Sequence, residues 1–199
     1  MKKTLCILTA IVVCMVIAVT TVAASVFVPS VTAKSAPEFV LGSDGSVGFE
    51  IVDETDKNVA TFDAGHVVIT AVANRNEAST VDREALNTAY ETLSTPNVKL
   101  DQVMPSLSEI TVQEKVNVAD VVVKDLFNVS TSEDVQKVLT TNGNGLKLTI
   151  DAKVSRNQVV AVMVCANGKW TPVPFVVNTD GTITCTMTVV GVVAILVKP

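Results

Sequence analysis

Short runs in which hydrophobic and polar residues alternate follow one another along most of this chain. In the run 47–52, Val47, Phe49 and Ile51 alternate with small or polar residues, which is the period of a half-buried β-strand. Similar runs separated by polar links fill residues 39–72. This pattern predicts a meander of three or four antiparallel strands.

One segment, residues 80–93, has the period of a helix instead. Its apolar side chains recur on one helix face: Leu86, Ala89, Tyr90 and Leu93. Ser79 with Asp82 three positions later resembles a helix N-cap, and an acid in the first turn suits the helix dipole. Pro96 disfavours helical geometry at the residue before it. We therefore expect a helix that packs on the sheet, followed by an irregular connector over 97–115.

From residue 115 onward the pattern returns to strands. Alternating or continuous apolar runs occupy 116–127, 146–150, 159–165, 170–177, 182–189 and 192–197. Asn167-Gly168 and Asp180-Gly181 separate consecutive runs and favour tight hairpin turns. The polar triplet 132–134 suits the start of a short helix over 135–139. The sequence predicts a mainly β fold with β-sandwich-like antiparallel sheets, one packed α-helix and a second short helix.

The N-terminal sequence predicts the location of the protein. Lys2 and Lys3 precede an interval, 4–33, that contains no charged residue, and a basic start before an apolar run is typical of a secretory signal. Small residues at 22–24 and 31–33 offer two cleavage sites. The alternative is a retained anchor, because 4–28 exceeds the about 20 apolar residues that span a bilayer. We therefore divide the chain into a leader (1–33) and two intervals, 34–110 and 111–199, of one composite domain. That domain is expected to be secreted or at the cell surface, and to touch a membrane only through 4–28.

Charge and composition limit the classes of partner that the protein is expected to bind. The chain has 15 Lys and Arg against 20 Asp and Glu, with a net charge of −5. An acidic domain lacks the basic surface that nucleic acids require, and anionic membranes are equally poor partners. We expect the partner to be an extracellular protein or glycan.

Two cysteines, Cys165 and Cys185, follow the leader. Export permits a disulfide, and a bridge requires that their strands be neighbours. The alternation of 182–189 directs Cys185 into an apolar interior, where a free thiol acts as a small hydrophobic group. Free buried thiols and a bridge are both compatible with the pattern.

Several short motifs carry a family resemblance over residues 85–199. They are DLFNVS at 125–130, NGKW at 167–170, DGTIT at 180–184, the closing apolar run 191–197 and the helix 86–93. Together they resemble small exported β-rich modules of gut-associated Gram-positive bacteria, in which DLFDVS is the usual first motif. The resemblance implies a β-rich fold and a surface or secreted location, and it brings no known activity and no catalytic residues.

Residues able to do acid–base or metal chemistry are few and scattered. His66 is the only histidine, and no Gly-x-Ser-x-Gly motif occurs. The acidic candidates all lie where turns or strand edges are expected: Asp53, Glu54, Asp56, Asp120, Asp125 and Asp180. The interval 53–58 bunches oxygen ligands that would suit calcium, but it lacks the glycine and the final glutamate of an EF-hand loop. We therefore predict a hydrophilic hairpin turn there, no catalytic residue, no cofactor and no metal.

Three features could contact a partner. Trp170 and Phe175 would stack on a sugar if both were exposed, although Trp170 follows a tight turn and is expected to pack instead. Asn128 begins an N-glycosylation sequon. A flat threonine face is formed by Thr182, Thr184, Thr186 and Thr188. We expect an exported, non-catalytic module that binds a protein or glycan, and the alternative is a structural spacer or self-assembling subunit joined through strand edges.

Overall fold

Two antiparallel sheets of five strands each form the body of the molecule. The structure is a computed structural model that describes residues 48–141 and 143–198. Its strands are β1 (Gly48–Val52), β2 (Asn58–Asp63), β3 (Val67–Ala71), β4 (Val122–Thr131), β5 (Gly145–Ile150), β6 (Val159–Ala166), β7 (Lys169–Val173), β8 (Phe175–Val177), β9 (Ile183–Met187) and β10 (Val192–Val197). Its α-helices are α1 (Thr80–Ser94), α2 (Leu100–Val103), α3 (Leu107–Gln113) and α4 (Glu133–Leu139).

Sheet A has the strand order β3-β4-β10-β6-β7, and sheet B has the order β2-β1-β5-β9-β8. All pairs of neighbouring strands are antiparallel. The predicted mainly β, sandwich-like fold is confirmed.

The inter-sheet core lies between the two sheets. Alternate residues of sheet B point into it, among them Leu146, Leu148 and Ile150 of β5. From sheet A it receives Val193 and Ile195 of β10, because successive side chains of a strand point to opposite faces. The short helix α4, predicted from its polar start, closes one side of this core.

A second core, the helix-side core, lies on the other face of sheet A. It takes the remaining alternate residues of β10, including Ala194 and Leu196, together with Leu86 and Leu93 of α1. The molecule therefore has three layers: helices, sheet A and sheet B. Sheet A is covered on both faces, which explains why the apolar runs of β6 and β10 are continuous rather than alternating.

Helix α1 confirms the predicted helix. The hydroxyl of Ser79 accepts a hydrogen bond from the backbone N–H of Asp82 at 3.2 Å, and the helix ends before Pro96. The irregular connector expected over 97–115 is wrong, because α2 and α3 lie there. Three residues at helical spacing anchor them in the helix-side core: Leu100, Met104 and Leu107.

The predicted meander differs from the observed topology. β1 and β2 form a hairpin in sheet B, whereas β3 pairs with β4 in sheet A. Strands from both intervals, 34–110 and 111–199, therefore meet in each sheet. The single extended unit expected over 116–127 is also shorter, since a 3-10 turn occupies Val118–Asp120 and β4 begins at Val122.

The two cysteines lie in different sheets and are free. Cys165 belongs to β6 and contacts the helix-side core, whereas Cys185 belongs to β9 and lies in the inter-sheet core. The condition for a bridge, neighbouring strands, is not met. Burial raises the pKa of Cys165, and it raises the pKa of Cys185 to about 12.

The leader (1–33), its anchor alternative (4–28) and the apolar run 39–41 lie outside the described residues. Among the helices of the described part, α1 is the longest at 15 residues. None of them combines the length and the apolarity that crossing a membrane requires.

Candidate functional site

Of the residues considered for chemistry, His66 is engaged by its neighbours. A ring nitrogen of His66 is 2.9 Å from the hydroxyl of Ser132, and its ring lies 5.5 Å from that of Phe62. Within residues 48–141 and 143–198, no group of three or more His, Cys, Asp or Glu side chains is arranged to hold a metal ion.

Two of the acids stabilise turns. Asp53 accepts hydrogen bonds from the hydroxyl and N–H of Thr55 and from the N–H of Lys57, and the Thr55 hydroxyl contributes most to lowering the Asp53 pKa. Asp180 likewise accepts from the N–H and hydroxyl of Thr182, which lower its pKa. Of the interval 53–58, residues 53–57 form the β1–β2 turn, as the hairpin interpretation predicted, and Asn58 begins β2.

The candidate sugar platform and the glycosylation sequon are not presented at the surface. Trp170 is 8% exposed in the helix-side core, whereas Phe175 packs against the inter-sheet core, so the two rings do not share a surface. The prediction that Trp170 packs is confirmed. Asn128 is 2% exposed, and its side-chain amide donates to Asp82 at 3.0 Å. Of the threonine face, Thr182 is buried and Thr188 is exposed.

The two outer strands of sheet A, β7 and β3, differ in how they end the sheet. β7 carries Lys169 and Pro172. A two-residue turn closes on the hydrogen-bonded pair Ala166 and Lys169, so the strand alternation directs the nitrogen of Pro172 to the open side. Proline has no N–H to offer there, which blocks pairing with another strand.

β3 has none of these protective features. Its five residues are Val67, Val68, Ile69, Thr70 and Ala71. Among the described strands only β4 pairs with it. The carbonyl of His66 accepts from the N–H of Ser132 at 2.9 Å, which fixes the alternation so that the N–H and C=O of Ile69 point away from β4. Within the described part of the chain these two groups have no backbone partner, so an added strand can pair with them.

A groove of about 370 Å³ runs beside this edge. We call it the β3 groove, and the side chains that matter here are Val68, Thr70, Glu77, Asp82 and Ser130. Val68 is 54% exposed. No residue of β3 belongs to the helix-side core, which draws on the other four strands of sheet A.

Some polar groups of the β3 groove are held in place by hydrogen bonds, and two hydroxyl groups are not hydrogen-bonded within the described residues. Asp82 accepts from Asn128 at 3.0 Å and from the Ser79 hydroxyl at 2.7 Å, which fixes both carboxylate oxygens. Thr70 is only 7% exposed, yet neither its hydroxyl nor that of Ser130 hydrogen-bonds within the described part of the chain. A ligand in the groove would meet fixed acceptors and two hydroxyl groups that make no hydrogen bond within residues 48–141 and 143–198.

A larger groove, of about 550 Å³, lies where the chain crosses from β7 to β8. Pro172 and Pro174 line it, and neither can donate a backbone hydrogen bond. This makes it a poorer site for an extended partner than the β3 groove.

Sequence reasoning missed the β3 groove. The strand and the helix cap were both predicted, but the groove brings together β3, β4 and the start of α1. The one available signal was that the run 67–71 lacks charge and proline, unlike the other outer strand of its sheet. Comparison with protein-family models, curated proteins and solved structures found nothing that matches this chain.

Proposed function

We propose that the chain is an exported, non-catalytic interaction module of the cell envelope or extracellular space, and that a protein partner binds it by adding a strand to β3. The uncharged leader after two lysines supports export. The observation that carries the binding role is the outer edge of β3, which pairs with no second strand among the described residues and lies beside a groove lined by carboxylate and hydroxyl groups.

A protein partner is favoured over a glycan by the same geometry. Strand addition uses backbone hydrogen bonds for affinity and alternate side chains for specificity, and β3 offers both an edge and a groove. Sugar binding commonly relies on an exposed aromatic ring, and Trp170, the candidate for that role, is buried under the helices.

The second candidate is a self-assembling or structural subunit. It is favoured by the absence of lysine and proline from β3, since these are the residues that keep outer strands of two copies apart. In that case two β3 strands would join two copies of the chain into one continuous sheet.

A matched pair of variants tests the proposal. Val68→Lys places a charge on the open β3 edge, and Val59→Lys places the same charge on β2, the outer strand of sheet B, where Val59 is 46% exposed. The exported protein and both variants would be immobilised and exposed to a cell-envelope extract. We expect at least one protein to be retained by the wild type and Val59→Lys and lost with Val68→Lys.

Retention of the same proteins by all three forms would contradict the proposal. Gel filtration of the purified protein separates the second candidate from the first. A dimer that dissociates on dilution and is abolished only by Val68→Lys would replace partner binding with self-assembly.

A further inference from the structure

We infer that the partner segment carries a basic side chain, arginine above all, and that this side chain occupies the β3 groove. The inference rests on the proposed function and specifies the chemistry of the partner: an extended peptide, antiparallel or parallel to β3, with a cation facing Thr70. Backbone pairing with Ile69 would align the peptide, and the groove would select its side chain.

The charge of the groove is the first argument. Glu77 and Asp82 line it and no lining residue is basic. The nearby basic residue Arg75 is engaged elsewhere, because it donates to the carbonyl of Val72 at 2.7 Å and lies 5.4 Å from the centre of the Tyr90 ring. The N-terminus of α1 adds a partial positive charge of roughly half a unit, which is smaller than the two carboxylates together.

The hydrogen-bonding groups of the groove are the second argument. Asp82 is held in place by Asn128 and Ser79, and the hydroxyls of Thr70 and Ser130 have bonding capacity left. A guanidinium group has five N–H donors in a planar fork and no acceptor. It therefore matches a groove that offers acceptors on several sides better than an ammonium or a neutral amide would.

The direction of the side chains is the third argument. Val68 and Thr70 face the β3 groove, while Val67 and Ile69 face the inter-sheet core. On an added strand, the residues directly opposite Val68 and Thr70 would also point to the groove face. One basic residue at such a position is enough to reach the carboxylates, and its neighbours in sequence would point away.

A second copy of this chain is a poorer occupant. β3 itself carries no basic residue, so a β3–β3 pair would leave the acidic groups of both copies without counter-charges. Like charges near one another disfavour such a contact, and the whole chain is acidic. Charge complementarity therefore favours a basic peptide over self-association.

Three synthetic peptides test this inference on the exported protein as isolated. They alternate threonine and valine over seven residues and differ only at the centre, which holds arginine, its neutral isostere citrulline, or glutamate. Binding would be measured by titration while the amide signals of β3 are followed by NMR. We expect the arginine peptide to bind about tenfold more tightly than the citrulline peptide, as charge-assisted hydrogen bonds predict, and its affinity to fall as salt is raised.

Variants of the acids supply the control. Glu77→Gln and Asp82→Asn should each reduce the preference for arginine, and Glu84→Gln, on an exposed residue of α1 outside the groove, should leave it unchanged. Glu77 is exposed and takes no part in the Asp82 cap, so its variant remains informative if Asp82→Asn weakens the helix.

The outcomes separate the inference from the proposed function. Equal binding of all three peptides, with shifts at β3, would overturn the basic preference and leave strand addition intact. Binding without shifts at β3, or no binding of any peptide, would count against both. Association of two protein copies that excludes the peptides would assign the edge to self-assembly and overturn the inference.

Discussion

Sheet A and sheet B have the same number of strands but different surroundings. Sheet A is buried on both faces, between sheet B and the helices, whereas the outer face of sheet B carries polar residues such as Lys147, Thr149 and Thr184. The exception in sheet A is β3, which contributes no residue to the helix-side core and leaves Val68 54% exposed. The comparison explains why we propose a binding site at the outer edge of sheet A, beside β3.

The largest expected effect comes from placing a charge on the helix-side face of β10, the central strand of sheet A. Ala194→Lys in β10 would bury an ammonium group in the helix-side core, where Ala194 is 0% exposed. Because an unpaired buried charge costs several kcal/mol against a total stability of roughly 5–15 kcal/mol, we expect the variant not to fold. Far-ultraviolet circular dichroism shows whether the variant folds, and chemical denaturation measures its stability.

The matched change in sheet B is Thr149→Lys in β5. Its side chain faces outward, and the substitution removes one hydrogen bond, to the hydroxyl of Thr184 at 3.0 Å. The loss should be about 1 kcal/mol. Equal damage from the two substitutions would show that the outer face of sheet B is also covered.

A second pair of variants tests the helical layer itself. Leu86→Ala on α1 removes a side chain that is 0% exposed and should cost about 2–5 kcal/mol. Val81→Ala changes the same helix at a residue that is 76% exposed and should alter stability by less than about 0.5 kcal/mol. Denaturation of the two proteins under one set of conditions gives both values, and a small effect at Leu86 would contradict the packing of α1 on sheet A.

The reactivity of the two free thiols offers a smaller, local test of the two cores. Cys165 is partly exposed beside the helices, whereas Cys185 is buried between the sheets with a pKa of about 12. Because the thiolate is the reactive form, iodoacetamide at pH 8 should modify Cys165 well before Cys185 in the native protein, and both in denaturant. Peptide mapping by mass spectrometry reads the order, and a bridge between them would block both.

The smallest effect is expected in the β8–β9 turn of sheet B. Hydrogen bonds from Thr182 lower the pKa of Asp180 from its usual 3.8. A lowered folded pKa contributes stability that is present above the unfolded pKa and is lost as pH falls through the folded value. Asp180→Asn should therefore flatten the decline of stability below about pH 4, as acid titration followed by fluorescence of Trp170 would show. An unchanged slope would show that Asp180 does not contribute to the loss of stability at low pH.

Much of sheet A and sheet B was predictable because local chemistry specifies it. The Asn167-Gly168 turn takes positive φ angles of 51° and 74°, and this pair of residues adopts such angles at little cost. The cap at Ser79 likewise marked the start of α1. In contrast, α2 and α3 were missed because they are short and interrupted by Pro105, and their burial depends on a sheet surface that the local pattern does not reveal.

The β3 groove could not be predicted because it depends on contacts between distant parts of the chain. The hydrogen bond that fixes Asp82 joins it to Asn128, 46 positions away. From the sequence alone we interpreted Asp82 as part of a helix cap and Asn128 as the start of a glycosylation sequon. Each interpretation used only neighbouring residues. The pairing of β3 with β4 in sheet A is equally non-local, because β2, the strand that precedes β3 in sequence, lies in sheet B.

Amide hydrogen exchange on the full-length protein tests most directly whether the outer edge of β3 is open. We predict that the amide of Ile69 exchanges rapidly, because it points away from β4, while those of Val193 and Ile195 in β10 exchange only on global unfolding. Addition of the arginine peptide should then slow exchange at Ile69, the central outward-pointing amide of β3. Protection of Ile69 equal to that of β10 in the absence of any peptide would contradict the account, since the edge would already be occupied.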